Sequence, residues 1–148
     1  MSTIEVQATV EVDRPSDDVW RLVADYGRDP EWRRGVATMA PSTVGPVVAG
    51  TTTAERLRMA GRTFENTGVV TAVEPGRWFT WCTTSGAPAH GGRTVTPLTG
   101  GRSRVDLELV VTLAGLQRAA RPVLAAVLRR GLAADAARLT RLLENAPR

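Results

Sequence analysis

The 148-residue chain is 43% apolar, 23% charged and 5% aromatic. This suits one globular domain with a sizeable core and excludes disordered or collagen-like chains. One cysteine, Cys82, and one histidine, His90, exclude an intrachain disulfide, a cysteine metal cluster and any site built on two histidines. The net charge is +4, and every basic residue is arginine. Residues 1–115 hold 12 arginines against 13 acids, whereas residues 116–148 hold 7 against 2, so the basicity belongs to the C-terminal segment. Such a stripe is either the solvated face of an amphipathic helix or a docking face for an anionic partner. No basic strand interleaved with aromatics is present, which argues against nucleic acid as a partner. Apolar runs are far shorter than the ~20 residues of a membrane span. The first residues lack the basic flank and apolar block of a secretory signal, so the cytoplasm is the expected compartment.

In chain order, Ile4, Val6, Ala8, Val10 and Val12 alternate with Glu5, Gln7, Thr9, Glu11 and Asp13, the period of a strand with one buried face. Pro15 and Ser16 end it. Ser16 is the expected N-cap of a short helix, with Asp17 and Asp18 in its first turn and Val19, Trp20, Leu22 and Val23 on its apolar side. Gly27 is the expected stop, and residues 29–34 read as a second short helix with Pro30 at its first position. Residues 36–48 are strand-like, with edge and turn signals at Pro41, Gly45 and Pro46. Further strands are predicted over 51–59, 62–73, 78–84, 89–98 and 105–113, joined by turns such as Ala60-Gly61 and Glu74-Pro75-Gly76. Over residues 116–145, leucines 124, 128, 132, 139, 142 and 143 recur at helical spacing. Pro122 either kinks this helix or marks its true start. Gly131 either weakens it or admits a close neighbour.

Three segments carry a family likeness. Residues 10–32, VEVDRPSDDVWRLVADYGRDPEW, resemble the opening of START-like, or SRPBCC, proteins, the superfamily of the birch-pollen-allergen-like proteins and the polyketide cyclase/dehydrase family. Residues 70–81, VTAVEPGRWFTW, are similar to its central hairpin, and residues 97–105, PLTGGRSRV, to a later turn. The resemblance implies a single α+β domain over residues 1–148 with the helix-grip fold. In that fold a curved seven-stranded antiparallel sheet wraps a long C-terminal helix, and two short helices after strand 1 close one end. It also implies a cavity between sheet and helix. Val123, Val127 and Ala134 are too small to fill such a space.

Strand parity nominates the lining. Matching the family turns Phe64, Asn66, Gly68 and Val70 inward, and Phe79, Trp81 and Thr83 with them. Leu57 and Met59 bring Thr53 and Glu55 to the same face, and Val95 brings Arg93 inward. Glu55 serves either as a general base or hydroxyl anchor, or pairs with Arg93 or another arginine. Arg93 either stabilises an enolate or ligand carboxylate, or forms a rim salt bridge. Asn66 orients a ligand carbonyl or is a satisfied buried amide. Trp81 offers a flat surface to a planar ligand or packs in the core. Tyr26 and Trp32 border the expected entrance, as a gate, a ligand contact or simple packing. Trp20 belongs to the core, Trp78 to the outer surface, Cys82 is a small filler facing away from the cavity, and His90 is incidental.

These readings rank a binder of a small hydrophobic or aromatic metabolite, lipid- or polyketide-like, first. Its ligand-binding residues are Tyr26, Trp32, Asn66, Phe79, Trp81 and Val127. Second is an enzyme resembling polyketide cyclases or dehydratases, with Glu55 as base, Arg93 as donor and Tyr26 as acid, working by enolisation, aldol closure and water loss. Third is an interaction protein docking through its basic C-terminal helix. No metal or cofactor and no integral membrane association is expected, and a homodimer is left open.

Overall fold

The computed structural model describes residues 2–147. Seven strands, β1 (Ser2–Val12), β2 (Val36–Pro41), β3 (Thr52–Met59), β4 (Arg62–Glu74), β5 (Trp78–Ser85), β6 (Ala89–Leu98) and β7 (Arg102–Leu113), form one antiparallel sheet in the order β1-β7-β6-β5-β4-β3-β2. Every neighbouring pair except β1–β7 is consecutive in the chain, joined by tight turns save for the loop 42–51 between β2 and β3. Helix α1 (Ser16–Val23) and a 3₁₀ turn (Tyr26–Glu31) connect β1 to β2. A second 3₁₀ turn (Gly115–Arg118) leads into helix α2 (Arg121–Glu144). Single-residue register shifts at Ala37 in β2 and Thr71 in β4 bend their strands, which is how a sheet of this width acquires curvature. The sheet curls as a half-barrel around α2.

Alternation in the sequence becomes burial directly. Ile4, Val6 and Val12 of β1 and Val105, Leu107 and Leu113 of β7 are buried, and these strands pair residue for residue from Ser2–Leu113 to Val12–Ser103. Leu128, Ala136, Leu139 and Leu143 are the buried stripe of α2. Each fully buried leucine contributes roughly 1.5–3 kcal/mol. The helix packs chiefly on β1 and only lightly on β7. The concave face of β3 to β6 is therefore left uncovered by the helix.

Arg14 locks the far end of α2. Its guanidinium donates to the Glu144 carbonyl at 2.9 Å and the Ala146 carbonyl at 2.9 Å. A cation at a helix C-terminus satisfies orphan carbonyls and opposes the negative dipole end.

Several local expectations shift. The residue before α1 is Pro15, in extended conformation, and Ser16 is the first helical residue without a side-chain cap. The second short helix is a 3₁₀ turn that begins at Tyr26. Gly27 lies inside it because its N–H is held by the Asp25 carboxylate at 3.0 Å, and Pro30 lies near its end. β2 ends at Pro41, after which the Ser42 N–H donates to the Thr52 carbonyl at 2.8 Å and the Ser42 hydroxyl takes the Thr52 N–H at 2.8 Å in place of a ladder bond. The following loop is pinned by buried Val47, whose N–H donates to the Ala24 carbonyl at 2.9 Å. Pro122 sits at the start of α2 rather than kinking it.

Candidate functional site

Where α2 leaves the sheet uncovered lies a partly enclosed cavity of about 460 Å³. That is within the range of small-molecule sites. Its apolar walls come from Leu57 and Met59 of β3, Leu107, Leu109 and Val111 of β7, and Val127, Leu128 and Leu132 of α2. Trp81 of β5 supplies a broad face, and it lies so close to Gly91 of β6 that a Cβ there would come within 2.9 Å of the indole. Gly68 of β4 likewise keeps space open, since a Cβ would stand 3.0 Å from the Thr53 hydroxyl. Val127 and Ala134 line the cavity as their small size suggests, but Val123 projects into solvent one turn too early. Gly131 lines the opening with nothing packed against it.

One end of the cavity is polar, and its groups form a continuous chain. Asp29, fully buried in the first 3₁₀ turn, accepts two hydrogen bonds from Arg93, at 2.9 and 2.8 Å, in a bidentate pair. Arg93 also donates to the Val23 carbonyl at 3.0 Å. Arg33 bridges Asp29 at 2.9 Å and Glu55 at 3.1 Å. Asn66 donates to the other Glu55 oxygen at 3.1 Å and accepts from the Ala87 N–H at 2.9 Å. Burial opposes charge on both arginines, but their carboxylate partners outweigh it and hold them protonated.

Aromatic rings wrap the same end. The Arg93 guanidinium lies 4.7 Å from the Tyr26 ring centre, 4.8 Å from Trp32 and 5.5 Å from Phe79. This stacking suits arginine's weakly hydrated planar cation. Burial pushes the Tyr26 phenol up to about 12, although Arg93 pulls the other way. The Trp32 indole N–H is buried with no hydrogen-bond partner among the described residues.

Of the nominated residues, Glu55, Arg93, Tyr26, Trp32, Asn66, Trp81 and Val127 all meet at this cavity. Their settings depart from the expectation at Arg93, Phe79, Tyr26 and Trp32, whereas Glu55 takes its expected alternative, a pair with another arginine. Arg93 pairs with Asp29 rather than Glu55, because the 3₁₀ turn delivers an aspartate directly onto β6. Glu55 pairs with Arg33, and donors occupy both its oxygens, which leaves no facing arginine–base couple. Phe79 points inward but does not reach the cavity: it is wholly buried under Trp20 and Tyr26, at 6.1 and 5.6 Å between ring centres. Tyr26 and Trp32 are not rim aromatics either; at 5% and 1% exposure they form the floor of the polar end.

Asp29 and Arg33 are the residues that pattern reading missed. Their spacing of four, beside Pro30, was the available signal. A short 3₁₀ segment has no periodicity to show which way its acid points. Asp135 of α2 also lines the cavity and accepts the Arg34 N–H at 3.0 Å, tying the helix to the segment after the turn. Burial raises its carboxyl above the ordinary range, a shift that this hydrogen bond reduces. Among the described residues no group of three or more histidine, cysteine or acidic side chains is placed to hold a metal ion, and no helix is long and apolar enough to cross a membrane.

A curled antiparallel sheet, a long C-terminal helix and a cavity between them define a helix-grip protein of the START-like, SRPBCC superfamily. The chain belongs to the polyketide cyclase / dehydrase and lipid transport family, whose model matches residues 3–144. Solved structures agree on the fold. An aromatase/cyclase from a Streptomyces species superposes with a TM-score of 0.81 at 19% identity, over 97% of this chain and 94% of that one. A START superfamily protein from Mycobacterium smegmatis gives 0.77 at 15% identity, over 95% and 97%. Norcoclaurine synthase from Thalictrum flavum gives 0.69 at 16% identity, over 99% and 90%. No curated protein matches the chain in sequence.

Proposed function

We propose that this protein binds a small hydrophobic or aromatic metabolite, lipid- or polyketide-like, in the cavity between the sheet and α2. The observation that carries the reading is the cavity itself: about 460 Å³, walled by leucine, methionine, valine and tryptophan, with hydrogen-bonding groups gathered at one end. An apolar chamber with a few convergent polar groups suits a ligand that is buried by its body and oriented by its oxygens. Tyr26, Trp32, Asn66, Trp81 and Val127 are the proposed ligand-binding residues, and Phe79 supports them from behind.

A cyclase or dehydratase activity is the second reading, favoured by the acid–base groups Tyr26 and Glu55 at one cavity end. In this reading Glu55 and Arg93 act as the catalytic pair, linked through the Arg33–Asp29 bridge rather than facing each other. Enolisation needs a base within about 3 Å of the proton it removes, so Glu55 would have to exchange the Arg33 or Asn66 bond for substrate.

Mass spectrometry of small molecules released from the purified protein tests the first reading. It predicts a planar or alicyclic apolar compound at close to one per chain. No bound compound, together with no uptake of any planar apolar probe, would overturn it.

A further inference from the structure

The polar end of the cavity is electrically closed. Arg93 and Arg33 are matched by Asp29 and Glu55 within 3.1 Å. Both functions of the Asn66 amide are engaged. The Thr83 hydroxyl is held by the Ala89 N–H and carbonyl. A ligand carboxylate arriving here would shed its hydration and meet two arginines already neutralised. An unmatched buried charge costs several kcal/mol.

Two hydroxyls of the lining stand apart from this network. Neither Tyr26 nor Thr53 makes a side-chain hydrogen bond among the described residues. Tyr26 is the more telling: the residue is 5% exposed and lines the cavity, yet its hydroxyl is not among the fully buried polar atoms, so it keeps surface that a ligand could cover. A hydroxyl that a ligand covers needs a partner once its access to water is gone. Burial, against the pull of Arg93, keeps the Tyr26 phenol protonated at neutral pH, so it offers a donor.

Resting on the ligand-binding reading above, we propose that the cavity selects an uncharged ligand whose carbonyl or hydroxyl oxygen accepts a hydrogen bond from Tyr26, and rejects a carboxylate of the same shape. Tyr26 is then a specificity-determining residue, and the Arg93–Asp29–Arg33–Glu55 chain is the device that excludes anions. The arginines look like an anion site in sequence, but in the fold they are spent on the protein's own carboxylates.

Isothermal titration at neutral pH with three probes of one shape tests this: 2-ethylnaphthalene, 2-acetylnaphthalene and 2-naphthoate. The ketone should bind about tenfold more tightly than the hydrocarbon, the net effect of one satisfied hydrogen bond. The carboxylate should bind at least about tenfold more weakly than the ketone. In Tyr26→Phe the ratio of ketone to hydrocarbon affinity should fall to about one, whatever the change in overall affinity. A carboxylate that binds as tightly as the ketone would overturn the proposal, and so would a ketone advantage that survives Tyr26→Phe. If the hydrocarbon itself does not bind, the cavity-binding reading fails and takes this inference with it. The wild-type comparison stands even if the variant does not fold.

Discussion

Asp29 is the residue on which the polar end turns. It is fully buried and carries two arginines, one through a bidentate pair. Removing its charge leaves Arg93 buried without a counter-ion, so Asp29→Asn should cost about 3–5 kcal/mol in chemical denaturation. Glu55→Gln should cost under about 2 kcal/mol, because Arg33 keeps Asp29 and the glutamine still accepts. Equal losses in the two variants would refute this hierarchy. Tyr26 provides a second test, since it is the only tyrosine in the chain. Its phenolate absorbance should titrate near 12, well above the ordinary value of 10.0. The sign for stability follows. A phenol raised in the fold contributes stability that is fully present below the unfolded value, and that contribution is lost as pH climbs from 10.0 through about 12. Tyr26→Phe should blunt that alkaline loss, and a titration midpoint at 10.0 would show that the ring is not desolvated.

At the scale of elements, the placement of α2 decides whether a cavity exists. The helix is held at its C-terminal end by Arg14, and near its middle Asp135 accepts from the Arg34 N–H. At its start Arg121 donates to the Thr3 carbonyl on the edge of β1. These anchors fix the helix over β1 and away from β3 to β6. Arg14→Met keeps the aliphatic stem but loses the charge and the carbonyl bonds. It should cost about 2 kcal/mol of unfolding free energy, with hydrogen exchange accelerated in the last turns of α2. Unchanged exchange there would mean that the cap is not the anchor. The strands were legible because period-two alternation is a direct image of which face is wet. That alternation turned Glu55 and Arg93 inward, and the family resemblance turned Asn66, Phe79 and Trp81 with them. Parity could not show depth, which is why Phe79 seemed to be cavity wall and is instead buried behind Tyr26. Nor could it read the 3₁₀ turn, where Asp29, Tyr26 and Trp32 are placed by local hydrogen bonds rather than by a repeat.

At the scale of the whole molecule, two apolar clusters support the fold. One joins α1, the first 3₁₀ turn, the central strands and the C-terminal half of α2, including Trp20, Phe79 and Leu139. The other is smaller and joins the far end of β1 and β7 to Leu128. The cavity borders both, so the interior is firm where the polar chain is buried and hollow beside the middle of α2. The family likeness was carried by turns and by the opening segment. Such features specify how the chain reverses direction, and say little about which molecule fills the space they enclose. The most direct measurement is a crystal structure of the protein with 2-acetylnaphthalene. The account predicts ring density between Trp81 and Val127, with the acetyl oxygen within hydrogen-bond distance of the Tyr26 hydroxyl and the Arg93–Asp29 pair intact. A ligand seated on the outer surface, or a collapsed interior with α2 packed against β4 and β5, would contradict it.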